Sequence, residues 1–153
     1  MADKDKYYRI VEGMLYNYKK LIIEIKDIDL DIQDIEDDYT GCSAITYEER
    51  AAPTNKFNSS VENEMIYKNG KTEQLKRMKR RLERKVERVD NMLSILTNEE
   101  YRLIELRYFQ RLQFKEISKM LDKSDIYLIS FRKKIIKEKL APLIKSKLYI
   151  IKN

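Results

Sequence analysis

The 153-residue chain has no histidine and no tryptophan, one cysteine, three glycines and two prolines. Without histidine there is no Ser-His or Cys-His nucleophile pair, and no zinc site built on imidazole. The lone Cys42 excludes a disulfide framework within the chain and suits a reducing compartment. Gly13, Gly41 and Gly70 stand far apart, so no glycine-rich loop can cradle a phosphate. Sparse Gly and Pro beside 38% charged residues favour long helices over turn-rich sheets. No apolar run approaches a membrane span, and the polar start MADKDKYYRI does not read as a signal peptide, so the cytoplasm is expected. Carboxylates are plentiful but follow helical charge patterns, not catalytic spacing. The expectation is no enzyme, no cofactor and no metal.

What the chain does have is charge, unevenly placed. Residues 1–40 hold 6 basic and 11 acidic side chains, a net of −5, and residues 41–70 hold 3 and 4, a net of −1. Residues 71–153 hold 23 and 11, a net of +12. A basic second half suits a polyanion partner, although part of it also balances the acidic first half.

Two heptad segments organise the first hundred residues. Val11, Met14, Tyr18, Leu21, Ile25, Ile28, Ile32, Ile35 and Tyr39 follow one another in steps of 3 and 4, the seam of a coiled-coil helix. A second seam runs Leu75, Lys79, Leu82, Val86, Val89, Leu93 and Leu96, with Met78 and Met92 beside it. Its register extends back through Thr72, Met65 and Val61, but Asn69-Gly70 interrupts it and leaves the start of this helix open. Between the seams, TGCSAITYEERAAPTNKFNSS reads as a loop over about residues 40–60. The helices then fold back as an antiparallel hairpin or pair across a dimer. In a hairpin, Asp27, Asp31, Asp34 and Asp38 would meet the basic stripe of Arg77, Arg80, Arg81, Arg84 and Arg88. The other reading of that stripe is contact with phosphate. Tyr7, Tyr8, Tyr16 and Tyr18 read as packing residues of the first helix, not as a base-stacking platform.

After the second seam, Thr97-Asn98-Glu99-Glu100 has the form of a capping box that opens a new helix. Tyr101, Ile104, Leu106, Tyr108 and Phe109 supply its apolar positions. A second helix, Phe114 to Leu121, is expected to bury Ile117, Met120 and Leu121. Asp122-Lys123 turns the chain, and Ser124 caps a third helix that turns Leu128, Phe131 and Ile135 inward. Three short helices so spaced make a helix-turn-helix unit. Pro142 is expected to start a short final helix, with Leu143, Ile144, Leu148, Ile150 and Ile151 covering the small domain or a dimer contact. The expected organisation is all-α, with a coiled-coil region over 1–96 and the helix-turn-helix domain over 97–153.

The stretch LTNEEYRLIELRYFQRLQFKEISKML, followed by Lys123-Ser124, resembles region four of bacterial sigma factors. The likeness lies in Leu96-Thr97, Leu106-Arg107-Tyr108-Phe109, Lys115-Glu116-Ile117 and Ser124. With its heptad-rich first half, the chain is similar to phage transcriptional regulators of the ArpU/RinA type. That resemblance implies a phage-encoded activator of late or packaging genes. It implies double-stranded DNA as partner, with RNA polymerase as a further one and a dimer through the heptad helices. In that family Gly often stands where Asp122 does, so the turn here is expected to be less tight.

The resemblance puts Asp125, Ile126, Ile129 and Ser130 at the base-reading positions. Asp125 could accept from a cytosine amino group, Ser130 could bond to several bases, and the isoleucines could touch thymine methyls. Affinity would then rest on phosphate contacts from Arg111, Lys115, Lys119, Lys123, Arg132, Lys133 and Lys137. Two other classes fit the same residues. One is a packaging protein of the small-terminase kind. The other is an adaptor that engages RNA polymerase or a sigma factor without reading DNA, for which Ile126, Tyr127 and Ile129 would be contact residues.

Overall fold

Two long helices, α1 (Ala2–Thr40) and α2 (Ser60–Leu93), are followed by three short ones: α3 (Asn98–Ile104), α4 (Phe114–Leu121) and α5 (Asp125–Lys134). The computed structural model describes residues 2–40 and 60–145, with side chains over 6–38 and 63–145. Every described element is helical, and the chain is all-α. Helices α3 and α5 run on as π-helical stretches, Glu105–Phe109 and Ile135–Leu140. The expected loop with Cys42, and Leu148, Ile150 and Ile151 of the tail, lie outside the described residues.

Helix α2 begins at Ser60 and carries Asn69-Gly70 in its interior, so the helix takes the earlier start, while Met65 of the extended register is 52% exposed. A glycine within a helix costs only about 1 kcal/mol relative to alanine, which a 34-residue helix tolerates. A Cβ on Gly70 would meet nothing within 4 Å. Gly70→Ala is therefore expected to stabilise the fold by about 1 kcal/mol, read from urea unfolding followed by circular dichroism.

The chain divides into two compact units, residues 22–84 and residues 1–21 with 85–153. The boundary expected at 96/97 is not where the division falls. The reason is a shared core: Val11, Leu15, Val89, Met92 and Leu93 pack with Leu103, Ile104, Leu106, Tyr108, Ile117, Leu128, Ile135, Ile136 and Leu140. Here α1 buries Val11 and Leu15 completely, while the seam residues Met14 and Tyr18 are half-buried. A helix covered from several sides buries a face roughly 100° wide, broader than a two-position seam. Tyr7, Tyr8, Tyr16 and Tyr18 all pack against this core. The Tyr16 ring meets Tyr108 edge-on at 4.7 Å, and Tyr18 donates to Asp90 Oδ1 at 2.6 Å.

In the 22–84 unit the seam is closed within one chain. Ile28, Ile32 and Leu82 are buried, with Ile25, Ile35 and Leu75 half-buried. Lys79 Nζ reaches Asp29 Oδ1 at 2.6 Å, whereas the later Ile35 and Asp38 share a groove with the earlier Leu75 and Lys71. The two segments thus run antiparallel. The expected pairing of arginines with aspartates does not occur: Arg77, Arg80, Arg81 and Arg84 are exposed, with no ion pair among the described residues. Arg77, Arg81 and Arg84 each stand two residues past a seam position, on the side of α2 facing away from α1. The seam lysine takes the carboxylate instead.

Thr97 caps α3 with the expected box: Glu100 N–H donates to Thr97 Oγ1 at 3.4 Å, and Thr97 N–H donates to Glu100 Oε2 at 2.9 Å. Glu100 is also the one buried charged residue among the described residues, and Lys139 Nζ donates to it at 2.7 Å. Burial pushes this carboxyl up, but hydrogen bonds from Lys139 and Thr97 outweigh it and hold it below its ordinary value of 4.5. A depressed carboxyl contributes stability that is present above its unfolded value and lost as pH falls through the folded one. Wild type is thus expected to lose more stability than Glu100→Gln between pH 6 and pH 3 (about 1 kcal/mol more), measured by thermal unfolding across that range.

Pro142 does not begin a helix, because residues 125–145 are helical throughout. The π-helical stretch ends where the Ala141 N–H bonds to the Ile136 carbonyl, just before the proline. A proline lacks an N–H and crowds the carbonyl four residues back, and the widened turn accommodates both.

Candidate nucleic-acid interface

Helices α4 and α5 form a pair joined by a three-residue turn, and local chemistry fixes each boundary. The Gln113 N–H donates to Glu116 Oε2 at 2.7 Å, so Glu116 closes the start of α4. At the end of α4, Asp122 takes the left-handed conformation, φ 51° and ψ 46°. The N–H groups of Asp122 and Lys123 both turn back to the Ser118 carbonyl. The turn is therefore tight without glycine, since Asp is among the few residues that visit this region routinely. Ser124 then caps α5, its hydroxyl accepting from the Tyr127 N–H at 3.3 Å.

A second left-handed residue, Arg111 at φ 58°, lies between α3 and α4. Arg111→Gly relieves its strain and should stabilise the fold by about 0.5 to 1 kcal/mol after the entropic cost of glycine. If Arg111 also grips phosphate, the same substitution weakens DNA binding. Paired urea titrations and DNA titrations separate the two effects.

The inner faces are apolar. Ile117 and Leu128 are fully buried, and Phe131 is half-buried. Met120, expected inside, is 54% exposed, whereas Leu103 is fully buried. Three residues along from Ile117, Met120 sits at the rim of α4, where no other helix covers it.

The outer face of α5 bears Ile126, Ser130 and Lys133, spaced by 4 and 3 so that they share one side of the helix. Ile126 is 79% exposed, Ser130 and Lys133 are exposed, and Asp125 and Ile129 are half-buried along one flank. The four positions named from sequence therefore form a stripe of two, Ile126 and Ser130, with Asp125 and Ile129 as a shoulder along one side. Tyr127 stacks on Phe131 at 5.5 Å, and Lys123 Nζ lies 5.7 Å from the Tyr127 ring.

The cations divide as well. Arg111, Lys115, Lys119, Lys123, Lys133 and Lys137 are exposed. Arg132 differs from the other members of the expected phosphate set. Its guanidinium donates to Glu12 Oε1 at 3.2 Å and lies 5.3 Å from the Phe114 ring, with its side chain only 12% exposed. Lying between the outer and inner sides of α5, it turns to the half-buried Glu12 carboxylate.

Glu12, which helps hold this geometry, was not singled out from sequence, and Arg107 and Tyr108 were named only for the helix they lie on. Glu12 accepts from both Arg132 and the Tyr108 hydroxyl, the latter at 2.9 Å. Burial drives the Tyr108 phenol far up, the charge of Arg132 pulls it part of the way back, and donation to Glu12 raises it again. It remains a protonated donor. Arg107 Nη1 donates to the Leu112 carbonyl at 2.9 Å, and its guanidinium also lies over Phe114, at 4.8 Å, which ties the turn before α4 to the π-helical end of α3.

Among the described residues no group of carboxylates or cysteines could hold a metal ion, and no helix is long and apolar enough to cross a membrane. The model of a family described as "Protein of unknown function (DUF722)" matches residues 4–142. Neither the curated proteins nor the solved structures contain a match.

Proposed function

This chain belongs to the DUF722 family, and we propose that it is a sequence-specific DNA-binding transcription regulator whose α5 enters the major groove. The observation that carries the reading is the exposed Ile126–Ser130–Lys133 stripe on a helix anchored from behind by Leu128 and Ile135. Lysines 115, 119 and 123 stand exposed on the neighbouring helix and turn. A rigid, outward helix with flanking cations is what groove docking needs: cations fix register on the phosphates, and the stripe meets base edges. Ile126 suits a thymine methyl and Ser130 a hydrogen bond to several bases, so the favoured site is A·T-rich, read partly by shape. The likeness to region four of sigma factors supports a phage-encoded activator of late or packaging genes, acting in the bacterial cytoplasm without enzymatic activity.

A second reading has its own support. Ile126, Tyr127 and Met120 are all strongly exposed around the tip of the helix pair, which suits docking on RNA polymerase or a sigma factor. Alanine at Ile126 and Ile129 decides between the two when duplex binding and polymerase binding are titrated separately. The DNA reading expects loss of sequence preference with polymerase binding intact. The adaptor reading expects polymerase binding to be lost, with no duplex sequence preference in either protein.

A further inference from the structure

We propose that α2 carries a second, sequence-independent DNA contact, in which Arg77, Arg80, Arg81 and Arg84 grip the phosphates of a duplex. The grip does not depend on α5 reading base edges; only the choice of duplex DNA as the polyanion rests on that reading. Steps of 3 and 4 make each of the four arginines a surface neighbour of two others, and all four are exposed. At 1.5 Å per residue the cluster spans about 10 Å of helix, a length along which B-DNA presents about six phosphates. Residues 76–84 hold six basic side chains and one acidic, a net of +5. The acid, Glu83, turns to Lys79 at 3.7 Å, and the four arginines have no ion pair among the described residues.

Arg77, Arg81 and Arg84 stand on the side of α2 away from α1, so a duplex that meets them does not have to pass Asp27, Asp31 or Asp34. Like charges at these spacings repel, and the cluster costs helix stability that no described carboxylate offsets. A phosphate backbone offsets it. A face kept only for solubility interleaves both signs, whereas here one sign runs through two turns. Arginine suits phosphate better than lysine does, because its fixed fork bonds through two parallel N–H groups. An acidic membrane fits less well. A helix lying on lipid needs a free apolar face, and that face of α2 is already used, with Leu82 buried and Leu75 half-buried inside the unit.

The test is fluorescence anisotropy of the full chain against a labelled, scrambled duplex of about 30 base pairs, from about 0.05 to 0.3 M salt. The variant Arg77→Gln, Arg80→Gln, Arg81→Gln, Arg84→Gln should lower the slope of log K against log salt by about 3 to 4, and weaken binding at about 0.15 M salt at least a hundredfold. Glutamine keeps the helix propensity, and loss of the repulsive pairs should leave the thermal midpoint no lower than that of wild type. Lysine at the same four positions keeps the charge and should keep the slope. On a duplex that wild type prefers, the glutamine variant should lose affinity by the same factor, so the preference itself is unchanged. If α5 reads no sequence, the two duplexes bind alike and the glutamine variant still loses slope on both. An unchanged slope in the glutamine variant overturns the proposal, and so does a slope lost equally by the lysine variant. Loss of binding to phosphatidylserine vesicles, or of self-association in sedimentation velocity, with duplex binding unchanged, overturns it as well.

Discussion

Glu12→Ala is expected to destabilise the fold by about 2 to 3 kcal/mol, because the pair is half-buried and its removal leaves confined donors without their acceptor. The Glu12 carboxylate oxygen is the acceptor shared by the Tyr108 hydroxyl at 2.9 Å and Arg132 Nη1 at 3.2 Å. Both donors are confined. Tyr108 is 1% exposed, and the remaining Nε of Arg132 is buried with no hydrogen-bond partner. Without Glu12 the guanidinium keeps its charge with nothing to offset it, and the phenol loses its acceptor. Glu12→Gln, which retains an acceptor but not the charge, should cost less, about 1 to 2 kcal/mol. Replacing all three by Glu12→Leu, Tyr108→Phe and Arg132→Met should recover most of the loss, because an apolar cluster of similar shape leaves nothing unpaired. Urea unfolding of the four proteins measures this directly. A cost below about 1 kcal/mol for Glu12→Ala would show the carboxylate to be solvated and replaceable.

The second large effect concerns DNA. If Lys115, Lys119, Lys123 and Lys133 each neutralise one phosphate, removing them as alanines should lower the slope of log K against log salt by about 4. At 0.15 M salt each contact is worth about 0.7 log unit, so affinity for any duplex should fall on the order of a thousandfold. All four lysines are exposed, so stability should change little. Arg132 must be left in place in this experiment, because its guanidinium belongs to the Glu12 pair and its loss would confuse unfolding with lost binding. An unchanged salt slope would mean that this face does not grip a backbone.

Local chemistry made part of this fold readable in advance. Thr97 with Glu100, and Ser124 ahead of Tyr127, are capping patterns complete within four residues, and both occur where the sequence puts them. Ile28, Ile32 and Leu82 follow from periodicity, which needs no knowledge of the partner helix. Glu12 was not readable, because its partners lie 96 and 120 residues away and nothing near it announces a buried pair. Leu15 was missed for a related reason: it falls outside the two-position seam and is buried only because more than one helix covers that end of α1. Arg132 looked like its neighbours Lys133 and Lys134, and a rotation of one residue decided that it faces inward. The arginines of α2 are the converse case. Their charge suggested the nearest acidic stripe, yet Arg77, Arg81 and Arg84 stand two places past the seam, on the side facing away from α1.

The central claim, that the Ile126–Ser130 stripe reads base edges, is tested most directly by selecting duplexes from a random-sequence pool with wild type and with Ile126→Ala, Ser130→Ala. Wild type should enrich a single A·T-rich motif, and the double variant should bind with similar salt dependence while relaxing its preference at one or two positions, by about 1 to 3 kcal/mol each. A pool left unenriched by wild type, or a motif that the substitutions do not alter, would contradict the account.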